Sequence, residues 1–141
     1  MLRYQKRTTD ETDVLDILTA AAATGVGTTI DVRDYRHIVL QVSAALNSSL
    51  TFKIQGSVQS TAPTFSDAQA EANHWDYLAA YDLNDANAMI TGDTGVTLNN
   101  DSVANNCHLY LVNVDLVRWL NVVVTSYTDG NVTVKLVAAN D

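Results

Sequence analysis

The feature that most constrains the fold of this chain is the alternation of apolar and polar side chains along residues 50–58. In an extended chain Leu50, Phe52 and Ile54 lie on one face, and the polar residues between them lie on the other. A period of two is typical of a β-strand that buries one face. Residues 37–43 repeat the pattern. The intervening Asn47-Ser48-Ser49 is typical of a turn, so we predict that the two stretches pair as a hairpin.

The C-terminal part of the chain is the richest in β-branched residues. Residues 117–126 and 131–137 flank the dipeptide Asp129-Gly130. Because Asp-Gly readily adopts the positive φ angles of a tight turn, this arrangement predicts a second hairpin. Residues 107–114, just before it, are apolar on both faces, which predicts a central strand that is covered on each side.

Shorter strands are predicted elsewhere, at residues 28–32, 75–82, 88–91 and 95–98. The strand at residues 75–82 would carry Trp75, Tyr77 and Tyr81 on one face. We interpret residues 14–23 as an edge strand, although their alanine run and the glycine that follows also suit a helix end.

The long loop at residues 59–74 contains the only proline of the chain. Within it Ser66 and Gln69 fit a capping box, which predicts a helix of one or two turns that ends near Asn73. Elsewhere the composition disfavours helices, because fourteen of the sixteen acidic residues are aspartates and glutamate is scarce.

These patterns predict an all-β fold, an antiparallel β-sandwich of jelly-roll type with one short helix in a long loop. We expect a single β-sandwich domain at residues 14–141, preceded by a flexible basic N-terminal arm at residues 1–13. A chain of 141 residues can bury a core without crosslinks. Its single cysteine, Cys107, excludes an internal disulfide.

The net charge of −8 is unevenly distributed. Arg3, Lys6 and Arg7 lie in the first seven positions, whereas residues 8–141 contain five basic residues and all sixteen acidic ones. An acidic body repels phosphate, so we expect no nucleic-acid partner. A basic arm can bind an acidic surface, and we predict that Arg3, Lys6 and Arg7 bind a partner such as a neighbouring copy of the chain. A frayed, solvated terminus is the alternative.

We expect no membrane partner. No apolar run approaches the roughly 18 residues that a membrane helix needs. The first eight residues also lack the apolar stretch of a secretory signal.

The residue types that carry chemistry form no recognisable site. His37, His74 and His108 lack the spacings of metal ligands. Cys107 and His108 would point to opposite faces of a strand, so they cannot readily share a proton. We interpret Cys107 as a small buried thiol. We therefore expect no catalytic residue, no cofactor and no metal ligand.

Three patterns leave alternatives open. The loops at residues 82–87, 99–101 and 105–106 are rich in Asp and Asn, which suits turns but also calcium. Two distant carboxylates that cleave a glycoside have no sequence signature, so an enzyme of this kind is a second alternative. We nevertheless expect that the protein is not an enzyme. The chain also has six aromatic residues that can be interpreted in two ways, as packing in the core or between subunits, or as a platform on which sugars stack. They are Trp75, Tyr77, Tyr81, Tyr110, Trp119 and Tyr127.

Several stretches together resemble a known class of protein. They are residues 30–40, Phe52-Lys53-Ile54-Gln55-Gly56-Ser57, Trp75-Asp76-Tyr77, Arg118-Trp119-Leu120 and Thr125-Ser126-Tyr127-Thr128-Asp129-Gly130. In this order they resemble the small β-sandwich virion proteins of tailed bacteriophages, especially capsid decoration (cement) proteins.

The resemblance implies a structural protein without enzymatic activity. Such a protein would assemble in the host cytoplasm and bind the outer capsid surface of the virion as a homo-oligomer. Its partners would be the major capsid protein and copies of itself. The alternatives are a phage tail or fibre component, or a carbohydrate-binding module that contacts host glycans.

Overall fold

The computed structural model describes residues 12–85, 88–99 and 106–139. Within these ranges the chain forms twelve strands and one 3-10 turn, which spans Glu71–Asn73. The strands are β1 (Thr12–Ala21), β2 (Gly25–Val26), β3 (Ile30–Asp31), β4 (His37–Ala44), β5 (Ser49–Ser57), β6 (Asp76–Leu78), β7 (Ala80–Asp82), β8 (Met89–Ile90), β9 (Val96–Leu98), β10 (Asn106–Asn113), β11 (Trp119–Asp129) and β12 (Val132–Ala139).

The strands form two antiparallel sheets. The first sheet has the order β1-β12-β4-β10-β7-β8. The second sheet has the order β2-β11-β5-β6, with β3 also beside β11 and β9 also beside β5. The predicted all-β sandwich is therefore confirmed.

The order of the strands is that of a jelly roll. β2 and β3 line one edge of β11, and β6 and β9 line one edge of β5, so each pair occupies a single strand position. Eight positions then follow one another along the chain. The first sheet contains positions 1-8-3-6, extended by β7 and β8, and the second contains positions 2-7-4-5. Successive positions thus repeatedly change sheet, as jelly-roll connections do.

The core lies between the sheets and is built from the inward-facing residues of the long strands. In β4 the buried residues alternate strictly with partly exposed ones. Phe52 of the second sheet contacts Tyr110 of the first edge to face, with ring centroids 6.4 Å apart. The core residues with 0% exposure are Val32, Leu40, Phe52, Val112, Val114, Leu120, Val122, Val124, Val132, Val134 and Leu136.

Both predicted hairpins are wrong, although the strands themselves lie where the alternation places them. β4 and β5 belong to different sheets, and so do β11 and β12. β4 pairs with β10 and β12, whereas β11 pairs with β5 over nearly its whole length. A turn sequence specifies that the chain reverses. It does not specify whether the second strand continues in the same sheet or crosses to the other.

The two crossing turns pack against each other. Ser48 is fully buried, and its hydroxyl lies 2.7 Å from the carbonyl oxygen of Ala45 and 3.0 Å from that of Asn131. Gly130 has a φ of 80°, and a Cβ at this position would clash with the side chain of Ser48. The Asp-Gly dipeptide therefore permits the close approach of two corners between sheets rather than a hairpin.

The predicted strand at residues 75–82 is also divided between the sheets. β6 pairs with β5 in the second sheet and β7 pairs with β10 in the first, with only Ala79 between them. Tyr77 and Tyr81 consequently do not share a face, contrary to the prediction.

The predicted helix near residue 66 is reduced to the 3-10 turn Glu71–Asn73. The Ser66 hydroxyl donates to the carbonyl oxygen of Ala68 at 2.6 Å, so it does not act as a helix cap. The turn begins after Ala70, where no side chain caps it, and ends at Asn73 as predicted.

The N-terminal edge strand is confirmed as β1. It begins at Thr12, two residues before the predicted start of the domain, and its pairing with β12 is interrupted by irregularities beyond Asp16. Arg3, Lys6 and Arg7 lie outside the described residues, so their predicted partner contacts stay a prediction.

Candidate interaction surface

The outer face of the first sheet carries a continuous row of apolar side chains. Each member of the row is the direct cross-strand partner of the next, so the row crosses all six strands. We call this set the apolar row, and from edge to edge it comprises Val14, Val137, Val39, Leu111, Tyr81 and Met89. Directly paired side chains stand about 5 Å apart, so the row forms one contiguous apolar strip.

The two ends of the apolar row are open to solvent. Val14 is 57% exposed at one end, and Tyr81 and Met89 are 45% and 54% exposed at the other. Leu109, two residues from Leu111 on the same face of β10, widens the strip and is also exposed. An exposed contiguous apolar patch of this kind is typical of a contact surface, whereas scattered single residues are not.

A polar rung borders the apolar row on one side. It contains Asp16, Lys135 and Gln41, which pair directly across β1, β12 and β4. Lys135 Nζ lies 3.7 Å from Asp16 Oδ1, and both side chains are well exposed, so this ion pair stabilises the fold little. An apolar strip with a polar border is the arrangement of many protein–protein interfaces.

Two predictions about β10 are wrong. The strand is not covered on both sides, because Leu109 is exposed while Tyr110 and Val112 are buried. Cys107 is exposed rather than buried. Cys107 and His108 do occupy opposite faces, and the His108 ring lies 6.3 Å from that of Tyr110.

The outer face of the second sheet has the opposite character. Its outward-facing residues include Gln55 and Asn121, which are direct cross-strand partners, and Ser57. These polar side chains are nevertheless buried, with Gln55 0% exposed and Asn121 1% exposed. Asn121 Nδ2 donates to the Gly27 carbonyl oxygen and to Thr29 Oγ1, each at 3.0 Å, so the segment beside β2 covers it.

Residues 58–75, which we call the covering loop, lie over Gln55 and Ser57. Gln55 Nε2 donates to the Ser66 carbonyl oxygen at 2.8 Å, and Ser57 Oγ donates to that of His74 at 2.9 Å. These bonds attach the covering loop to the sheet through buried polar groups. Gln55 Oε1 is buried without a hydrogen-bond partner among the described residues, so the attachment is incomplete.

The covering loop has a small apolar cluster of its own. Phe65 and Trp75 are both buried, with ring centroids 5.9 Å apart, and Trp75 lies 5.2 Å from the ring of Tyr77. Trp75 Nε1 donates to the Thr64 carbonyl oxygen at 3.2 Å. The loop at residues 59–74 that the sequence predicts is thus a packed element rather than a free one.

The six aromatic residues considered as a sugar platform are spread over the molecule, apart from Trp75 and Tyr77, whose rings are in contact. Tyr110 lies in the core, Trp75 packs against Phe65 within the covering loop, and Tyr81 belongs to the apolar row on the first sheet. Lys53 stands over the ring of Tyr77, 4.8 Å from its centroid. Trp119 has Arg33 5.8 Å from its ring centroid. Tyr127 donates its hydroxyl to the Gly130 carbonyl oxygen at 2.8 Å. No common platform is formed by these six residues.

The candidate metal ligands are also separated. Within residues 12–85, 88–99 and 106–139 no group of three or more His, Cys, Asp or Glu side chains is arranged to hold a metal ion. Asp82 Oδ1 accepts the backbone N–H of Asn84 at 2.9 Å, which is the turn use of an Asp-rich loop. Residues 86, 87, 100, 101 and 105 of the loops rich in Asp and Asn lie outside the described part. The same part of the chain contains no helix with the length and apolar character to cross a membrane.

A shallow cleft lies beside the covering loop, between β5 and β6. Its volume is about 410 Å³, and Trp75, His74, Asp76 and Leu78 are among its lining residues. Asp76 Oδ1 accepts the backbone N–H of Tyr77 at 2.7 Å and Gln69 Nε2 at 2.9 Å. The carboxylate in this cleft therefore holds the loop in place.

The perturbed titratable groups are explained by structural contacts. Arg33 Nε donates to both carboxylate oxygens of Asp31, which lowers the pKa of Asp31 and raises that of Arg33. Burial, with a contribution from Asp82, raises the pKa of Tyr110 to about 12. Burial likewise raises the pKa of Tyr77, with further contributions from nearby aspartates.

The sequence contains a signal for the apolar row. Residues 107–114 are apolar at both alternating sets of positions, and Val39 and Val137 stand where alternation would place polar residues. The first of these predicts cover on both faces of β10. In the structure, the second apolar set of β10 and its neighbours forms an exposed strip.

Comparison with known proteins identifies a shared fold. No model of a known protein family matches the chain. No curated protein matches it either. The crystal structure of the SPBc2 prophage-derived protein YomS superposes with a TM-score of 0.66 and 16% sequence identity, over 92% of this chain and 93% of that one. The shared fold thus extends over nearly the whole of both chains, and it is the fold of a protein of prophage origin.

Proposed function

We propose that this chain is a structural protein of a phage particle that decorates the outer surface of the capsid as a homo-oligomer. The proposal is supported by the fold that it shares with a prophage-derived protein. The observation that carries it is the apolar row, which crosses the entire outer face of the first sheet. Its partners would be copies of the same chain and the major capsid protein.

The apolar row is better suited to permanent contact with another chain than to exposure to solvent. Covering apolar area stabilises an assembly by about 25 cal/mol for each Å² removed from water. The strip is bordered by polar and charged groups, so a partner that covers it also finds hydrogen-bond partners at its rim. A rigid sandwich with such a face can add stability to a shell without any chemical step.

The glycan-binding alternative loses its main support in the structure. Sugar stacking needs several exposed aromatic faces that are close together. Of the six residues considered, Tyr81 is the most open, and the others are buried or packed against cations, loops or the core. A tail or fibre component would use the same kind of contact surface, and its position in the particle separates it from a capsid protein.

Binding to capsids tests the proposal. Purified chain is incubated with heads of its own phage that lack it, and bound protein is measured by sedimentation. We expect saturable binding, and we expect the double variant Tyr81→Lys/Met89→Lys to bind at least tenfold more weakly. Val58→Lys is the matched control, because Val58 is 69% exposed and lies outside the row, so it should bind like the wild type. Failure of the wild type to bind heads, or immunogold labelling of the tail, would overturn the capsid assignment.

A further inference from the structure

We propose that two copies of this chain associate through one end of the second sheet, around a twofold axis that brings Leu116, Arg118 and Asp34 of each copy against the other. The inference rests on the homo-oligomer part of the proposed function and assigns the contact between copies, which leaves the apolar row free for the capsid. The contact surrounds a shallow cleft of about 390 Å³, which we call the corner cleft. Its lining residues are Arg33, Asp34, Val58, Leu116, Val117 and Arg118.

Leu116 stands in the turn that joins β10 to β11. It is 89% exposed, more than any other large apolar residue in the part of the chain that the structure describes. Its φ is 68°, and the N–H of Val117 closes the turn by donating to the Val114 carbonyl oxygen at 2.9 Å. Glycine or asparagine is the usual residue at a turn position with a positive φ. A leucine here combines an unfavourable backbone conformation with an exposed side chain, which favours a role in contact over a role in the fold of the single chain.

The corner cleft is firmly built. The N–H of Arg118 donates to the Ser57 carbonyl oxygen, and the Arg118 carbonyl oxygen accepts the N–H of Val32, each at 2.9 Å. These bonds join the start of β11 to the end of β5 and to the segment after β3. Val58, which follows β5 and is 69% exposed, lines the same cleft as Leu116. Because these side chains are held on a preformed frame, little ordering is needed when they are covered.

Two opposite charges in the corner cleft lack a partner. The Arg118 side chain makes no hydrogen bond or ion pair with any residue that the structure describes, although its Nε is buried. The Asp34 carboxylate likewise makes none with the described residues, whereas Asp31 and Arg33 beside them are paired with each other. A buried polar group without a partner is unusual in a folded protein. The cleft therefore presents one unpaired cation and one unpaired anion together.

This pair of charges identifies the occupant as a second copy. In a twofold contact, the first residue of a pair on one copy meets the second residue on the other copy, and the reverse also holds. Arg118 of each copy then faces Asp34 of the other, and the exposed side chains of Leu116 and Val58 pack around the axis. A partner with only acidic groups would repel Asp34, and a partner with only basic groups would repel Arg118. The corner cleft is thus complementary to itself.

Charge reversal tests the pairing in the isolated chain, with self-association measured by analytical ultracentrifugation. We expect Asp34→Lys and Arg118→Glu each to weaken self-association at least tenfold, because each variant brings like charges together at two points of the twofold contact. An equimolar mixture of the two variants should associate within about threefold of the wild type. In the mixture the introduced lysine faces the introduced glutamate, and the unchanged Arg118 faces the unchanged Asp34. A mixture that associates as weakly as its components would overturn the inference, and so would a wild type that remains monomeric up to millimolar concentration.

Leu116→Gly provides a test in which misfolding is not an explanation. Glycine readily adopts the positive φ, so the melting temperature of the dilute, monomeric chain should stay close to that of the wild type, while self-association should weaken at least tenfold. Tyr81→Lys/Met89→Lys is the matched control, because it changes the apolar row on the other sheet and should leave self-association unchanged. Loss of self-association in this control but not in Leu116→Gly would overturn the inference.

The failure of this contact and the failure of the proposed function are distinguishable. Val58→Lys should weaken self-association as well, yet leave binding to heads unchanged, because heads contact the apolar row. The ultracentrifugation measurements contain no heads. Failure of the wild type to bind heads would therefore overturn the capsid assignment and leave the contact between copies in place. Unchanged self-association in Leu116→Gly, Asp34→Lys and Arg118→Glu would overturn the contact and leave the capsid assignment in place.

Discussion

The two sheets of the sandwich turn opposite kinds of surface outward. On the second sheet, the outward residues Gln55, Ser57 and Asn121 are polar, yet they are buried beneath the chain's own segments. On the first sheet, the outward apolar row includes Tyr81 and Met89, which remain about half exposed. From polarity alone, we would expect the chain to cover the outer face of the first sheet and to leave the outer face of the second sheet exposed to solvent.

The difference shows what decides which face a loop covers. A loop has backbone groups that need hydrogen bonds, and a polar sheet face provides them. Gln55 and Ser57 bond to carbonyl oxygens of the covering loop, so loop and face satisfy each other. An apolar face offers no such bonds to an irregular chain and is better covered by apolar side chains from another element or another molecule.

The comparison is tested most strongly by making the same change on both faces. Gln55→Glu places a carboxylate beside the Ser66 carbonyl oxygen in a fully buried position, and an uncompensated buried charge costs about 3–5 kcal/mol. Gln41→Glu makes the same change on the first sheet, at a partly exposed position paired with Lys135, and should change the free energy of unfolding by less than about 0.5 kcal/mol. Urea denaturation at neutral pH measures both.

The pH dependence of the Gln55→Glu variant sharpens this test. Burial raises the pKa of the introduced carboxyl in the folded state, so the deficit relative to the wild type should shrink as the pH falls from 7 toward 4. A deficit that stays constant over this range would indicate a packing fault instead of a buried charge. Equal destabilisation by the two Gln→Glu variants would contradict the difference between the faces.

The next largest change in stability is expected when an aromatic ring is removed from each of the two outer faces of the sandwich. Trp75→Ala removes the contacts of this covering-loop residue with Phe65 and Tyr77, and truncation of a buried Trp costs about 3 kcal/mol or more. Tyr81→Ala removes an exposed ring of the apolar row and should cost less than about 1 kcal/mol in the isolated chain. Unfolding by guanidinium, followed by circular dichroism, compares the two.

A larger loss for Tyr81→Ala than for Trp75→Ala would break the comparison. It would mean that the apolar row stabilises the single chain and that the covering loop contributes little to its stability. Limited proteolysis provides an independent check, because Trp75→Ala should expose the covering loop to cleavage while Tyr81→Ala should not.

The smallest effect concerns the inward side of β10. Burial raises the pKa of Tyr110 from 10.0 to about 12, so the folded chain keeps a proton that the unfolded chain loses in this interval. Stability from this group is complete below pH 10 and is lost as the pH rises toward 12. We expect the melting temperature to fall across this range, and to fall less steeply in Tyr110→Phe. The same slope in both proteins would refute the assignment to Tyr110 and would point to another tyrosine, such as Tyr77, whose pKa is also raised.

The positions of the long strands are readable from the sequence, but their partners are not. Alternation locates β4, β5 and β12 to within one or two residues, because side-chain period follows directly from strand geometry. The hairpin predictions fail because a turn such as Asp129-Gly130 is local, whereas the choice of sheet depends on distant contacts such as that between Ser48 and Asn131. The jelly-roll class is nevertheless predicted correctly from the number and spacing of strands.

The candidate surface is only partly predictable. Leu109 and Leu111 indicate a second apolar set of positions on β10. Only the register of the six strands shows that Leu111 lies between Val39 and Tyr81 in the apolar row. The burial of Gln55 has no signal in the sequence, because it depends on where the covering loop returns. Sequence therefore identifies which side chains are unusual, and topology decides whether they meet.

A cryo-electron-microscopy reconstruction of the assembled particle tests the central claim most directly, since it shows what lies over the first sheet. The account predicts that the side chains of Val39, Leu111, Tyr81 and Met89 are within about 4.5 Å of apolar atoms of another chain in every copy. A reconstruction in which the apolar row faces solvent, while the covering loop of the second sheet makes the contacts with neighbours, would contradict it.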